Sequence, residues 1–173
     1  LGTLTNLRYG LSALGGGATF GPELTFGRTL ADYYSASNQV STNVVMTAII
    51  KYAVGGTSLV ADWVPNGNAT TNGDGPRYVT FQKVVTNGLA KLSATYPGAK
   101  IELDGMIWVQ GENDITLKNT NNACAAYGTN LVRFINDVRL TFGGYPPYGT
   151  NFPFFFTRIS TNQTVYSGTA DPD

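Results

Sequence analysis

The sequence predicts an α/β fold in which a parallel sheet is covered by helices on both faces. Two observations predict it. Short runs rich in β-branched and aromatic residues alternate with longer segments whose apolar residues recur at helical spacing. Paired glycines and prolines separate the segments. The order strand, helix, strand, helix, strand is typical of a parallel sheet, and we interpret residues 1–173 as a single domain.

Three helices are predicted along the chain. The first follows a glycine-rich start and begins near Pro22 and Glu23, because proline suits the first helical position and an acid faces the positive end of the helix dipole. It runs to about Ser35. Apolar residues at helical spacing mark one face of a second helix over 81–96 and of a third over 127–142.

Three buried strands are predicted between and after these helices. Residues 44–54 are rich in β-branched side chains, residues 106–109 are continuously apolar, and residues 152–159 contain three consecutive phenylalanines. A long loop connects the first strand to the second helix, and loops of this length inside a compact domain are usually functional.

Composition excludes several classes of partner. The formal charge is zero and only 13% of residues are charged, with no cluster of basic residues, so we expect no nucleic-acid partner. No apolar stretch approaches the roughly twenty residues that span a bilayer. The chain has no histidine and one cysteine, so we predict no metal site and no cofactor. Few lysines and two glycosylation sequons, at Asn68 and Asn162, favour a secreted or cell-surface protein.

Polar turns follow two of the predicted strands. Gly55 and Gly56, followed by Ser58, allow the backbone to approach a ligand closely, although an ordinary tight turn explains them as well. The segment 110–114 reads Gln-Gly-Glu-Asn-Asp, which could equally be a polar turn capping the next helix. Because ligands bind at the carboxyl ends of parallel strands, we expect the two turns to meet at one edge of the sheet.

Three segments together resemble the SGNH hydrolases, in particular the sialate O-acetylesterase and acetyl-xylan esterase branch. They are Phe-Gly-Pro-Glu-Leu at 20–24, Lys-Tyr-Ala-Val-Gly-Gly-Thr-Ser-Leu at 51–59 and Trp-Val-Gln-Gly-Glu-Asn-Asp at 108–114. The resemblance implies a three-layer, flavodoxin-like α/β/α fold and hydrolysis of carbohydrate O-acetyl esters through an acyl-serine intermediate.

The resemblance also implies roles for individual residues. Gly55 or Gly56 would donate a backbone N–H to the oxyanion, and Asn113 would donate a side-chain N–H, with Gln110 or Glu112 as alternatives. Glu112 would be the acidic partner of the catalytic histidine. Ser58 has no base beside it, so we expect it to cap a turn or to contact the ligand.

The sequence departs from the family pattern at both ends. No strand followed by a Gly-x-Ser turn precedes Phe20, and the final Asp-x-x-His cannot be present without a histidine. We therefore expect the domain to lack its first and last strands, with a missing segment or a second chain completing the sheet. The alternative is a non-catalytic carbohydrate-binding or surface-assembly module. A metal-dependent hydrolase using Asp104, Glu112 and Asp114 is disfavoured, because Asp104 begins its strand at the opposite end.

Overall fold

The structure is a computed structural model that describes residues 21–37, 45–66, 73–116 and 123–158. The glycine-rich start, both sequons and the last fifteen residues lie outside these ranges. The chain divides into two compact units, Leu1–Gly55 and Gly56–Asp173. The single domain over 1–173 stays a prediction. In the part of the chain that is described, no helix is long and apolar enough to cross a membrane.

The first unit contains helix α1, Glu23–Ser37, which begins at the predicted residue and ends two residues later than expected. Glu23, in the first turn, accepts a 2.6 Å hydrogen bond from the Lys51 ammonium group. Burial raises the pKa of Glu23, but the hydrogen bond and charge of Lys51 and the backbone hydrogen bonds together outweigh burial, so the pKa is lowered. This ion pair fastens the later segment of the unit to the start of α1.

The predicted strand over 44–54 is wrong for the residues that are described. Residues 45–54 form neither helix nor strand, and the large apolar side chains of Val45 and Met46 are about half exposed. A β-branched composition makes a segment suitable for a sheet, but a strand also requires a neighbour to pair with. None pairs with 45–54 among the residues described.

Among the described residues, the second unit contains three α-helices and two strands, which confirms the α/β class. In chain order they are α2 (Pro76–Thr95), β1 (Met106–Trp108), α3 (Glu112–Thr116), α4 (Ala123–Phe142) and β2 (Phe154–Phe156), with a 3-10 turn at Gly149–Asn151 before β2. Helix α4 contains the helix predicted over 127–142, and α2 contains that predicted over 81–96 except for Tyr96, which caps its end. The short α3 was not predicted as a helix.

Phe134 of α4 is the centre of the core of the second unit. Its fully buried ring lies 5.4 Å from Tyr78 of α2, 4.5 Å from Trp108 of β1 and 6.1 Å from Phe154 of β2, measured between ring centroids. Such aromatic contacts add to the large apolar area that each ring buries. One aromatic side chain therefore joins both strands to both long helices.

Strands β1 and β2 pair in parallel, with Met106 opposite Phe154 and Trp108 opposite Phe156. The central pair, Ile107 and Phe155, is 49% and 62% exposed. Helix α4 packs through Phe134 against the face of the sheet opposite to that of Ile107 and Phe155. The described residues thus contain a two-stranded parallel sheet, compatible with the expected fold, while the full three-layer architecture stays a prediction.

The loop before α2 is fixed to the helix start. The carbonyl oxygen of Asp62 accepts hydrogen bonds from the backbone N–H groups of Arg77 (2.8 Å) and Tyr78 (3.2 Å). N–H groups in the first turn of a helix have no acceptor within the helix, and these two belong to that turn of α2. The loop that carries the first polar turn is consequently anchored on α2.

Candidate active site

Two polar turns, 53 residues apart in the chain, are in direct contact in the second unit. The side-chain amide of Gln110 lies just beyond the carboxyl end of β1 and donates a 2.9 Å hydrogen bond to the carbonyl oxygen of Thr57. Both residues are buried. The two turns therefore meet just beyond the carboxyl end of β1, although the first turn does not follow a strand among the described residues.

Asp114, at the third position of α3, makes the densest set of contacts between the turns. Its carboxylate is 1% exposed and accepts hydrogen bonds from the backbone N–H of Leu59 at 2.9 and 3.1 Å and from that of Val60 at 3.2 Å. The Gln110 amide donates to it at 2.6 Å. A buried carboxylate is tolerated only when such donors replace its water.

Tyr127 of α4 fixes the orientation of Gln110. Its hydroxyl donates to the main-chain oxygen of Gln110 at 2.6 Å, lies 3.1 Å from Gln110 Oε1, and accepts from the Trp108 indole N–H at 3.4 Å. Burial, followed by the negative charges of Asp114 and Glu112, raises the pKa of Tyr127, so the phenol keeps its proton. With Oε1 towards this hydroxyl, both amide hydrogens of Gln110 are used by Thr57 and Asp114.

Ser58 forms the centre of a turn. It is 1% exposed, and both its N–H (2.8 Å) and its hydroxyl (3.2 Å) lie within hydrogen-bond distance of Asp62 Oδ2. Its carbonyl oxygen accepts from the N–H groups of Asp62 and Trp63. The turn-capping alternative expected for Ser58 matches this geometry, and its hydroxyl is not presented to solvent.

The other predicted site residues are exposed or partly exposed. Glu112 is exposed and Asn113 is partly exposed at the start of α3. Gly56 is exposed, with φ +68°, a value that favours glycine. A Cβ on Gly56 would meet no atom within 4 Å in the described part of the chain, so open space borders this turn. Gly55, also exposed, is the last residue of the first unit.

The sequence interpretation missed the residues that hold the turns together. The sequence indicates Asp114 only as the last residue of a polar turn and as a disfavoured metal ligand, and Tyr127 only as part of a helix face. The signal available for Asp114 was its position four residues after Gln110, which places both side chains on one side of a helical turn. No group of three potential metal ligands occurs in the described ranges.

Comparison with known proteins identifies the family. The profile of the family described as carbohydrate esterase, sialic acid-specific acetylesterase, matches residues 11–169. No curated protein and no solved structure matches the chain significantly. The match to the profile includes both turns and nearly the whole sequence, which confirms the resemblance seen in the three motifs. The chain belongs to the sialic acid-specific acetylesterase family of carbohydrate esterases.

Proposed function

We propose that this chain supplies the oxyanion-stabilising part of a carbohydrate O-acetyl esterase. In the reaction a serine oxygen attacks the acetyl carbon while a histidine takes the serine proton. The tetrahedral intermediate collapses, the sugar oxygen leaves with that proton, and water then hydrolyses the acetyl-serine. The sequence contains no histidine, so a segment outside these residues or a second chain would provide the base and, with it, the nucleophile.

The observation that carries this proposal is the contact between the two turns through Gln110 and Asp114. It brings the loop after Gly56 against the start of α3. Gly56 is exposed and Asn113 is partly exposed, and the proposal assigns to these two residues the N–H groups that hold the developing negative charge. Gln110 and Ser58 would shape the site from beneath, because their polar atoms are engaged within the protein.

Glu112 has a separate role in the proposal. It is exposed at the first position of α3, next to Asn113. A carboxylate there can accept a hydrogen bond from the histidine ring and hold it in the tautomer that takes the serine proton. Its exposure leaves it accessible to a histidine arriving from elsewhere.

A second candidate function is carbohydrate binding without catalysis. The observation that favours it is the lack of histidine in all 173 residues. A scaffold with intact turns and no base would still present backbone and amide donors to an acetylated sugar. The two functions differ in one product, because only the esterase releases acetate.

The experiment that decides between them measures acetate released from O-acetylated sialic acid, with 4-nitrophenyl acetate as a second substrate. The protein is purified with its natural termini and incubated in parallel with a fluorophosphonate that labels activated serines. We expect acetate release above a protein-free control and one labelled serine. Sugar binding without acetate release, and without labelling, would favour the binding module.

A further inference from the structure

We propose that Asp114 is a positioning residue that holds the loop 56–60 against the start of α3 and so sets the direction of the oxyanion donors. This inference deepens the proposed function and rests on it. The match to the family assigns no role to Asp114. The Asp114 side chain is buried and does not face solvent.

The contacts of Asp114 all point towards the loop and its neighbour. One carboxylate oxygen, Oδ1, lies 3.1 Å from the N–H of Leu59 and 3.2 Å from that of Val60. The other, Oδ2, lies 2.9 Å from the same Leu59 N–H and 2.6 Å from the amide of Gln110. Two successive backbone donors and one side-chain donor therefore converge on a single buried side chain.

Only a carboxylate satisfies this arrangement, because each of its oxygens faces a donor. An asparagine at the same position has one oxygen and one NH2 group. Whichever way its amide turns, the NH2 group faces either the N–H of Val60 or the amide of Gln110, and two donors then confront each other. Gln110 cannot relieve the conflict by rotating, because its oxygen would then face the carbonyl oxygen of Thr57.

The loop that Asp114 holds begins at Gly56. The N–H groups of Leu59 and Val60 follow that glycine by three and four residues, so fixing them limits the conformations available to the turn. Donors fixed before the reaction stabilise an oxyanion without having to reorganise during it. Loss of the anchor is therefore expected to lower kcat and to leave KM nearly unchanged.

The test compares Asp114→Asn with Asp137→Asn, a matched control. Asp137 is also a buried carboxylate (4% exposed), but it accepts from the Tyr78 hydroxyl in the core. Amide hydrogen exchange is measured by NMR for Leu59 and Val60, relative to the core amide of Val85. In Asp114→Asn we expect the two loop amides to exchange roughly tenfold faster or more on this relative scale; in Asp137→Asn the ratio stays at the wild-type value.

The same variants are assayed with 4-nitrophenyl acetate. We expect kcat to fall at least tenfold in Asp114→Asn with KM within about twofold of wild type, and neither parameter to change in Asp137→Asn. Unchanged loop exchange in Asp114→Asn overturns the proposal, and so does faster exchange at an unaltered kcat. A wild-type protein that hydrolyses no ester, combined with faster loop exchange, retains the anchor but refutes the proposed function.

If Asp114→Asn does not fold, the wild-type protein decides. Hydrogen bonds to a buried carboxylate protect the Leu59 and Val60 amides, so we expect both to exchange roughly tenfold or more slower than in an unstructured peptide. Slow exchange at both supports the anchor. Exchange as fast as in an unstructured peptide overturns it.

Discussion

Replacing Gln110 with methionine removes the direct link between the two turns while keeping the length of the side chain. The wild-type amide donates one hydrogen bond to a neutral carbonyl, that of Thr57, and one to the buried carboxylate of Asp114. Methionine donates neither. Both acceptors stay buried and lose a donor, which costs more than the loss of a solvent-exposed bond.

The magnitude follows from the two bonds. The neutral bond contributes about 1 kcal/mol and the bond to the carboxylate about 2 kcal/mol, while the more apolar methionine returns roughly 1 kcal/mol at this 8% exposed position. We therefore expect Gln110→Met to lower the free energy of unfolding by about 2 kcal/mol. That is a large share of the 5–15 kcal/mol that stabilises a typical domain.

Guanidinium chloride unfolding, followed by tryptophan fluorescence, measures this loss. Trp63 and Trp108 are both buried, so their emission reports exposure of the core. With a denaturant slope of about 4 kcal/mol per molar, the midpoint falls by roughly 0.5 M. Gln82→Met is the matched control, because Gln82 also donates to an aspartate, Asp74, but at a partly exposed position. Equal midpoints for both variants would refute a special role for the Gln110 bonds.

Two further predictions concern the framework of the second unit. Burial, and then the hydrogen bond to Asp137, raise the pKa of Tyr78 in the folded protein. The stabilisation by this phenol is therefore complete below the pKa of about 10 that tyrosine has in the unfolded chain, and it is lost as the pH rises through the folded pKa. Tyr78→Phe should cost about 2 kcal/mol at pH 7, with a gap to wild type that narrows above pH 10 in urea unfolding curves; a gap independent of pH would contradict this. Gly75→Ala should lower the melting temperature, because its Cβ would lie 2.4 Å from the carbonyl oxygen of Asp62. Gly128→Ala is the control, because a Cβ on Gly128 in α4 would meet no atom within 4 Å among the described residues. We expect Gly128→Ala to raise the melting temperature slightly. If it lowered the melting temperature as much as Gly75→Ala does, the steric explanation would be wrong.

The long helices and the strand before the Gln-Gly-Glu-Asn-Asp turn could be predicted because local signals specify them. Pro76 at the first turn of α2 and the spacing of buried residues such as Phe81, Val85 and Leu89 are read directly from the chain. The turns were recognisable for the same reason, since glycine and amide residues follow an apolar run. These features depend on neighbours within a few residues.

The features that could not be predicted depend on distant partners. The apolar segment 45–54 satisfies every local criterion for a strand, yet no neighbouring strand pairs with it in the described residues. The burial of Asp114 could not be predicted either. Its sequence context indicates an exposed polar turn at a helix start, but the folded loop with Leu59 and Val60 covers it. Hydrogen bonds across 55 residues leave no local signature.

The measurement that tests the central claim most directly is the kcat of Asn113→Ala on an O-acetylated sugar, beside Asn87→Ala on the exposed side of α2. Removal of one oxyanion donor typically lowers kcat about 10²–10³-fold. We predict a loss of that size for Asn113→Ala, little change in KM, and wild-type kinetics for Asn87→Ala. Wild-type turnover in both variants would contradict a shared oxyanion site at the two turns.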